Sequence, residues 1–235
     1  EIEIKEETIQ TVAKPSFDQT NAAAFEHVTF KYTETSDPVL EDIDFTIPKG
    51  KTTAIVGGTG SGKSSLAKLL LRLSDPTVGK VTLGGIPLTQ MTQEQIRSHI
   101  SYVPQKAFLF SGTILSNLQM GNEHASPEEL AKAIKVAQLE ELVDTLPDGL
   151  DSFVAQGGSN YSGGQKQRIC IARALIKPAE IYVFDDSFSA LDYKTDAALR
   201  AALHKHMSEK TLVIVAQRLS TIQQAENIIV LDEGK

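Results

Sequence analysis

The most regular hydrophobic pattern in the chain lies between residues 52 and 73. A short apolar run, TTAIVG at 52–57, is typical of a buried strand, and a glycine-rich loop follows it. After the loop, leucines occupy positions i, i+3, i+4 and i+7, which form one stripe on a helix: Leu66, Leu69, Leu70 and Leu73. The pattern therefore predicts a strand, a loop and a helix, which is half of a parallel α/β unit.

The same alternation of strand and helix returns in the last third of the chain. Residues 181–185 and 212–216 are apolar runs of strand length, and residues 192–207 between them have a helical pattern. A short helix and a last strand at 227–231 follow. These elements predict further parallel strands of the same α/β sheet.

The middle of the chain, residues 106–160, has a different character. Ser126 followed by Pro127 is a typical helix start with proline at the first helical position, and residues 130–146 are helical by composition and period. This part therefore predicts a helical insertion in the α/β fold.

The beginning of the chain contains a polar segment and then short strands. Residues 1–23 lack a core-forming period and contain Pro15, so we expect a linker from an upstream domain. Strands near the start of the fold are indicated by apolar positions: Phe25, Val28, Phe30 and residues 45–47.

Composition and charge exclude several classes of function. The chain has 235 residues, of which 41% are hydrophobic and 23% charged, which is typical of a soluble globular domain. A net charge of −7 argues against a broad nucleic-acid surface. The longest apolar runs are far shorter than the roughly 18 to 20 residues that cross a bilayer, and the acidic first residues are unlike a signal peptide. The single cysteine, Cys170, cannot form an internal disulfide, so we expect it to have a packing role.

The glycine-rich loop carries the motif G-x-x-x-x-G-K-S. Backbone N–H groups of such a loop and of the helix that follows bind phosphate oxygens. The motif lysine reaches the β- and γ-phosphates, and the serine hydroxyl ligates Mg²⁺. The fixed positions of the motif are Gly57, Gly62, Lys63 and Ser64, and the predicted nucleotide site also includes Gly60 and Ser65.

Two adjacent carboxylates, Asp185 and Asp186, end the apolar run at 181–185. In a P-loop NTPase, an acidic residue at the end of a second buried strand holds Mg²⁺, usually through water, and this is the role predicted for Asp185. A carboxylate beside it can orient or deprotonate the attacking water. Asp186 would have to fill that second role.

The stretch YSGGQKQRICIARAL at 161–175 resembles the signature of ATP-binding cassette (ABC) nucleotide-binding domains. With the P-loop, VFDD and SALD, the resemblance covers about residues 24–235. It implies an α/β fold with a P-loop NTPase (RecA-like) core, an N-terminal antiparallel β subdomain and an α-helical subdomain at about 106–165. It also implies two head-to-tail domains with two ATP molecules sandwiched between them. The signature residues would face the ATP bound by the partner domain: Ser162, Gly163, Gly164 and Gln165.

Three further positions match the family in chain order. Tyr32 resembles the aromatic residue that stacks on adenine, although a lone tyrosine on a strand is often only surface packing. Gln105 resembles the Q-loop glutamine that contacts Mg²⁺ or water and links the core to the helical insertion. Asp192 resembles the D-loop residue that crosses the dimer interface. The resemblance therefore implies nucleotide-site roles for all three.

The segment from Gln105 to Leu118 resembles the part of ABC exporters that receives a coupling helix from the transmembrane domain. The alternative is an ordinary loop followed by a helix start, in which Phe108 and Phe110 would be core residues. We expect the exporter interpretation to hold.

The chain departs from the family at two positions of one site. Most active members carry Glu after the Mg²⁺-binding Asp and His at the end of the next strand, where this chain has Asp186 and Gln217. The aspartate is one methylene shorter, and a misplacement of about 1 Å can cost on the order of 10²-fold in rate. The glutamine has no titratable proton. The site is therefore expected to bind ATP but to hydrolyse it poorly. Tyr161 and Gln156, before the signature, are two further departures.

The resemblance implies the ATP-binding domain of a heterodimeric ABC exporter at the cytoplasmic face of the cell membrane. ATP and Mg²⁺ are its expected cofactors, and a second, non-identical nucleotide-binding domain and transmembrane domains are its expected partners. Its signature would then serve the partner's competent site. Two alternatives stay open, a self-sufficient homodimeric ABC ATPase with slow hydrolysis and a soluble ABC protein with no role in transport.

Overall fold

The structure is a computed structural model, and it describes residues 13–217 and 224–235. Its strands are β1 (Asn21–Phe30), β2 (Leu40–Pro48), β3 (Thr52–Gly57), β4 (Val78–Leu83), β5 (Ile86–Pro87), β6 (Ile100–Val103), β7 (Gly112–Thr113), β8 (Phe153–Val154), β9 (Ile181–Asp185), β10 (Thr211–Ala216) and β11 (Asn227–Leu231). Its α-helices are α1 (Lys63–Leu70), α2 (Gln93–His99), α3 (Ile114–Gln119), α4 (Pro127–Val136), α5 (Glu140–Thr145), α6 (Gly163–Ile176) and α7 (Tyr193–His206).

The chain forms two compact units. Among the described residues, the first comprises 13–100, 179–185, 209–217 and 224–235, and the second comprises 101–178 and 186–208. The second unit therefore contains the helical subdomain predicted at about 106–165 together with α7. Residues 1–12 and 218–223, which include most of the predicted linker and the short helix predicted before β11, lie outside the described residues.

A parallel sheet forms the core of the first unit. Its strands in this unit follow the order β11-β3-β10-β9, and each neighbouring pair is parallel. Every residue of β9 and β10 is buried, as expected for strands covered on both faces. Helix α1 packs against β3, β9 and β10. The strands predicted from apolar runs in this part of the chain are thus confirmed.

An antiparallel sheet in the order β2-β1-β4-β5 completes the first unit. Its core side includes Phe25, which stacks on Phe45 with ring centroids 4.6 Å apart. Strand β1 begins at Asn21, three residues before the predicted start of the domain. The Ser16 N–H donates to the Gly84 carbonyl over 3.1 Å, so the described end of the predicted linker is attached to this sheet.

Helices dominate the second unit, where α3 and α4 pack against α6. Ser126 caps α4 and Pro127 is its first residue, as predicted. The stretch 130–146, predicted to be helical by composition and period, forms two helices, α4 and α5. The break lies at Gln138, whose φ of +58° is left-handed and cannot continue a right-handed helix.

The leucine stripe on α1 is shorter than predicted. Leu66, Leu69 and Leu70 are buried, but Leu73 is 47% exposed and lies beyond the end of the helix. The helix ends because Arg72 adopts a φ of +48°, which turns the chain away from the helix axis. Within residues 13–217 and 224–235, no helix is long and apolar enough to cross a membrane.

Candidate functional site

The phosphate loop joins the end of β3 to the start of α1, in the context that the motif requires. Gly60 and Gly62 have φ values of +80° and +100°, a backbone conformation that favours glycine. A Cβ on Gly60 would meet nothing within 4 Å, whereas one on Gly62 would lie 2.7 Å from Leu40 Cδ2. The loop is therefore tight against the protein at Gly62 and open at Gly60, where a ligand can approach the backbone.

Lys63 lies in the concave side of this loop. Its side chain is buried, and Nζ donates to the carbonyl oxygens of Gly57 and Gly58 over 2.7 and 2.6 Å. The ammonium group is thus held at the loop, beside the N-terminus of α1, which is the positive end of the helix dipole. This combination of cation and N–H donors suits a phosphate group.

Ser64 and Asp185 meet at the same edge of the parallel sheet. The Ser64 hydroxyl donates to Asp185 Oδ1 over 3.3 Å, although 121 residues separate them in the chain. Asp185 ends β9 and is only 4% exposed, while Ser64 is exposed in the first turn of α1. A hydroxyl and a carboxylate are oxygen ligands of the kind that Mg²⁺ prefers, so these two predicted ligands fit that ion.

Tyr32 follows β1 in the first unit and is 41% exposed. Its hydroxyl shares a hydrogen bond with Ser65 Oγ over 2.9 Å, and its ring makes an edge contact with Phe30. The Lys68 ammonium lies 5.5 Å from the ring centroid. Sequence reasoning missed Lys68, although it lies four positions after Ser64 and hence on the same side of α1.

Gln105 and Asp186, two residues predicted to act in hydrolysis, are hydrogen-bonded within the second unit. Gln105 Nε2 donates to Asp186 Oδ2 over 2.9 Å. Asp186 has a φ of +46°, a left-handed conformation that aspartate and asparagine tolerate better than most residues. The backbone at this position therefore favours the shorter aspartate over the glutamate that is usual in the family.

Gln217 directly follows β10, as expected, and is exposed. Strand β10 pairs in parallel with β9, with Val215 opposite Asp185. Asp186 and Gln217 thus each follow the carboxyl end of one of two neighbouring strands. Ligands of open α/β sheets bind at that edge.

The signature forms the N-terminus of α6, a 14-residue helix of the second unit. Ser162 Oγ accepts a hydrogen bond from the Gln165 backbone N–H, and the Gln165 side chain accepts one from the Ser162 N–H. A Cβ on Gly163 would meet nothing within 4 Å, so the backbone is open to a ligand there. The capping box fixes the helix start while the first-turn amides of Gly163 and Gly164 stay outside the intrahelical bonding pattern.

Asp192 caps the start of α7 rather than lying free in a loop. Its carboxylate accepts hydrogen bonds from the backbone N–H and the hydroxyl of Thr195, over 3.0 and 2.6 Å. These bonds to Thr195 lower the pKa of the Asp192 carboxyl below its usual value. The side chain is exposed and charged at neutral pH, as a residue at a domain interface can be.

Phe108 and Phe110 are not core residues, since they are 49% and 48% exposed. Their rings contact each other edge to face, and the segment is held from α6, where the Arg173 guanidinium donates to the Phe108 carbonyl over 3.1 Å. Phe153, which pairs with Thr113 between β8 and β7, is 64% exposed in the same unit. An exposed aromatic on a two-residue strand gives no sequence signal, so Phe153 was missed.

The geometry defines a P-loop nucleotide-binding protein. The comparisons with known proteins then specify the class, because residues 40–189 match the family described as ABC transporter. The chain belongs to the ABC transporter family.

Relatives and solved structures agree with this assignment. The chain is 48% identical over 210 residues to an uncharacterized ABC transporter ATP-binding protein of Mycobacterium tuberculosis, which covers 88% of this chain and 36% of that protein. It is 41% identical over 212 residues to the ATP-dependent lipid A-core flippase of Chromobacterium violaceum, covering 90% and 36%. The chain thus spans about a third of the length of these relatives.

A solved structure confirms the predicted fold class. The structure of a bacterial Atm1-family ABC exporter with ATP bound superposes with a TM-score of 0.88 and 36% identity, over 95% of this chain and 40% of that one. The fold is therefore the α/β fold of ABC ATPases, with an antiparallel β subdomain and a helical part.

Proposed function

We propose that this chain is the ATP-binding domain of a heterodimeric ABC exporter, and that its own P-loop site binds ATP but hydrolyses it slowly. The observation that carries the proposal is the pair of departures at the ends of neighbouring strands, Asp186 after β9 and Gln217 after β10. Phosphoryl transfer depends on positioning and electrostatics, so two altered groups at one site reduce the rate more than either would alone.

Binding is supported by the intact phosphate loop. Lys63 and the open backbone at Gly60 would hold the phosphates, and Ser64 with Asp185 would hold Mg²⁺, with Gln105 as a further ligand. Mg²⁺, when bound, neutralises charge on the β- and γ-phosphates. The residues of this site thus support the proposed binding of ATP and Mg²⁺.

Slow hydrolysis follows from Asp186 and Gln217. The Asp186 carboxylate would have to reach a water molecule at the γ-phosphate from a side chain that is about 1 Å shorter than that of glutamate. That carboxylate also accepts a hydrogen bond from Gln105, which restrains it. Gln217 can donate its amide to a phosphate oxygen, but it cannot carry the proton that a histidine would.

A non-identical partner is supported by the intact signature. The N-terminus of α6 carries Ser162, Gly163 and Gly164 in a capped helix start that can face a phosphate. A chain with a competent signature and an impaired P-loop site serves a partner that has a competent P-loop site. The signature is therefore proposed to complete the partner's ATP site.

Coupling to transmembrane domains is proposed for the segment from Gln105 to Leu118. Its exposed Phe108 and Phe110 offer an apolar surface to a partner helix. The similarity to a lipid A-core flippase and to an Atm1-family exporter supports an exporter, and hence a position at the cytoplasmic face of the membrane.

The experiment that tests the impaired site is single-turnover ATP hydrolysis at high protein concentration. The parent chain is compared with the double variant Asp186→Glu, Gln217→His, and ATP binding is measured in parallel. A matched control, Asp186→Asn with Gln217→His, restores the histidine and removes the carboxylate.

We expect all three chains to bind ATP, and the double variant to gain on the order of 10²-fold in rate over the parent. The control should gain nothing, because it lacks the carboxylate. If the parent already turns over as fast as the double variant, the impaired-site proposal is wrong and a self-sufficient homodimeric ATPase takes its place.

A further inference from the structure

The ring of Tyr32 is held by three groups of the first unit. The Lys68 ammonium lies 5.5 Å from the ring centroid, the Ser65 hydroxyl bonds the phenol oxygen over 2.9 Å, and Phe30 contacts the ring with centroids 4.9 Å apart. A cation at that distance from a tyrosine ring is attracted by the electron-rich face. The ring is thus oriented before any ligand arrives.

Two of these groups belong to the helix that starts in the phosphate loop. Ser65 and Lys68 are three positions apart on α1, so they lie on one side of the helix. Ser65, which bonds the phenol oxygen, is buried, and Lys68, whose ammonium lies over the ring, is exposed. The orientation of Tyr32 is therefore tied to the position of the phosphate loop.

Tyr32 keeps 41% of its surface exposed while Lys68 lies over the ring. A nucleobase stacks on an aromatic face, and an ordered ring loses less freedom on binding than a mobile one. A cation close to the ring fixes it without blocking both faces.

We infer that Lys68 is a positioning residue for the nucleobase, because its ammonium holds the Tyr32 ring as a stacking platform for a purine nucleotide. The inference rests on the proposed ATP site and specifies how that site recognises the base. Lys68 acts through Tyr32 and does not itself contact the phosphates.

The test separates the base from the phosphates. Calorimetric titrations measure the affinity of the full chain for Mg-ATP and for Mg-tripolyphosphate, which has the phosphate chain but no base. The variants are Lys68→Met, which keeps the aliphatic stem, and Lys68→Arg, which keeps the cation. Tyr32→Ala removes the platform itself.

Lys49→Met is the matched control for loss of a lysine charge. Lys49 is exposed and follows the end of β2 that pairs with Asn21, whereas Tyr32 follows the end of β1 that pairs with Leu40. The two positions lie at opposite ends of this strand pair, about 30 Å apart by strand length.

We expect Lys68→Met to weaken Mg-ATP binding about two- to fivefold and to leave tripolyphosphate binding unchanged. Lys68→Arg should restore the ATP affinity, and Tyr32→Ala should lower it about tenfold or more. Lys49→Met should change neither affinity.

Two results would overturn the inference while leaving the ATP site in place. One is an equal loss for ATP and tripolyphosphate in Lys68→Met, which would show that the ammonium acts on the phosphates. The other is an unchanged ATP affinity in Lys68→Met. If the parent chain binds neither ligand, the proposed ATP site itself is wrong.

Discussion

The Gln105 amide donates a hydrogen bond to the Asp186 carboxylate, with Nε2 and Oδ2 2.9 Å apart. Both residues belong to the second unit, and 81 residues separate them along the chain. Gln105 lies two residues after β6, and Asp186 lies directly after β9. The bond therefore links the predicted Q-loop glutamine to the carboxylate that would act on the attacking water.

Replacing Gln105 by glutamate should make the stability of the chain depend on pH. Two carboxylates at hydrogen-bond distance repel when both are ionised, so folding raises the pKa of the pair above its value in the unfolded chain. A raised carboxyl pKa costs stability as pH rises through it, by about 1 kcal/mol at this exposed position. The melting temperature of Gln105→Glu should thus fall relative to the parent as the pH rises from about 4 to about 6, and it should stay lower above that.

The control for that prediction is Gln119→Glu, which adds the same charge at the exposed last residue of α3. Thermal unfolding of the three chains over the same pH range makes the comparison. If the melting temperature of Gln105→Glu equals that of Gln119→Glu at every pH, Gln105 and Asp186 do not meet in solution.

Gly57 and Gly58 should respond differently to alanine. A Cβ on Gly57 would lie 2.2 Å from the Leu231 carbonyl oxygen, at the register position where β3 pairs with β11, whereas one on Gly58 would meet nothing within 4 Å. Because backbone must move to admit it, Gly57→Ala should cost about 1–3 kcal/mol of unfolding free energy. Gly58→Ala should stay within about 0.5 kcal/mol.

Urea unfolding of the two alanine variants measures the difference directly. Equal midpoints would contradict the close approach of β11 to the phosphate loop. Both glycines accept a hydrogen bond from Lys63 through their backbone carbonyls, and alanine keeps these carbonyls. A difference in midpoint between the two variants therefore reports the added Cβ and not a lost contact with Lys63.

The parallel core was predictable because its strands are buried on both faces. The apolar runs at 52–57, 181–185 and 212–216 have no alternation, and each one is a strand in the structure. The meeting of Ser64 with Asp185 also follows from the sequence, since carboxyl ends of parallel strands share one edge of the sheet.

Features that depend on tertiary contacts were not predictable. The helix after the phosphate loop ends early because Arg72 turns inward, and its guanidinium donates to the carbonyls of Leu88 and Met91. An arginine after a leucine stripe gives no sign of being buried. The contact of Lys68 with Tyr32 likewise joins positions whose distance in space is set by the packing of α1 against the sheet.

Cys170 should be nearly inert toward thiol reagents in the folded chain. It is 2% exposed on α6, and burial raises the pKa of its thiol, although the positive charge of Arg173 partly opposes this. Since the thiolate is the reactive form, a raised pKa leaves less of it at a given pH.

We therefore expect labelling by an aromatic disulfide reagent to be at least about tenfold slower in the folded chain than in the chain unfolded in urea at the same pH. The rate in the folded chain should rise with pH. Equal rates in the two states would show that α6 exposes its cysteine in solution and that its role is not packing.

Substitution of Asn117 should cost more stability than substitution at most positions of the second unit, because its buried side chain bonds the backbone of the Phe108–Phe110 segment. Its side chain is fully buried, accepts from the Phe110 N–H over 2.9 Å, and donates to the carbonyls of Phe110 and Thr113 over 2.8 and 3.0 Å. Asn117→Ala removes all three bonds and leaves backbone groups without partners, which should cost about 2–4 kcal/mol. Asn122→Ala is the matched control, since it removes one bond to the exposed His124 N–H and should cost less than about 1 kcal/mol.

Two measurements on these variants distinguish a local from a general effect. Urea unfolding gives the loss of stability, and chymotrypsin cleavage after Phe108 and Phe110 under native conditions reports local opening of the segment. Asn117 bonds both the N–H and the carbonyl of Phe110. Cleavage after Phe110 in Asn117→Ala should therefore accelerate by more than the loss of global stability accounts for. If Asn117→Ala and Asn122→Ala unfold and cleave alike, the buried amide does not hold the segment, and the exposed aromatic surface proposed for a transmembrane partner loses its structural support.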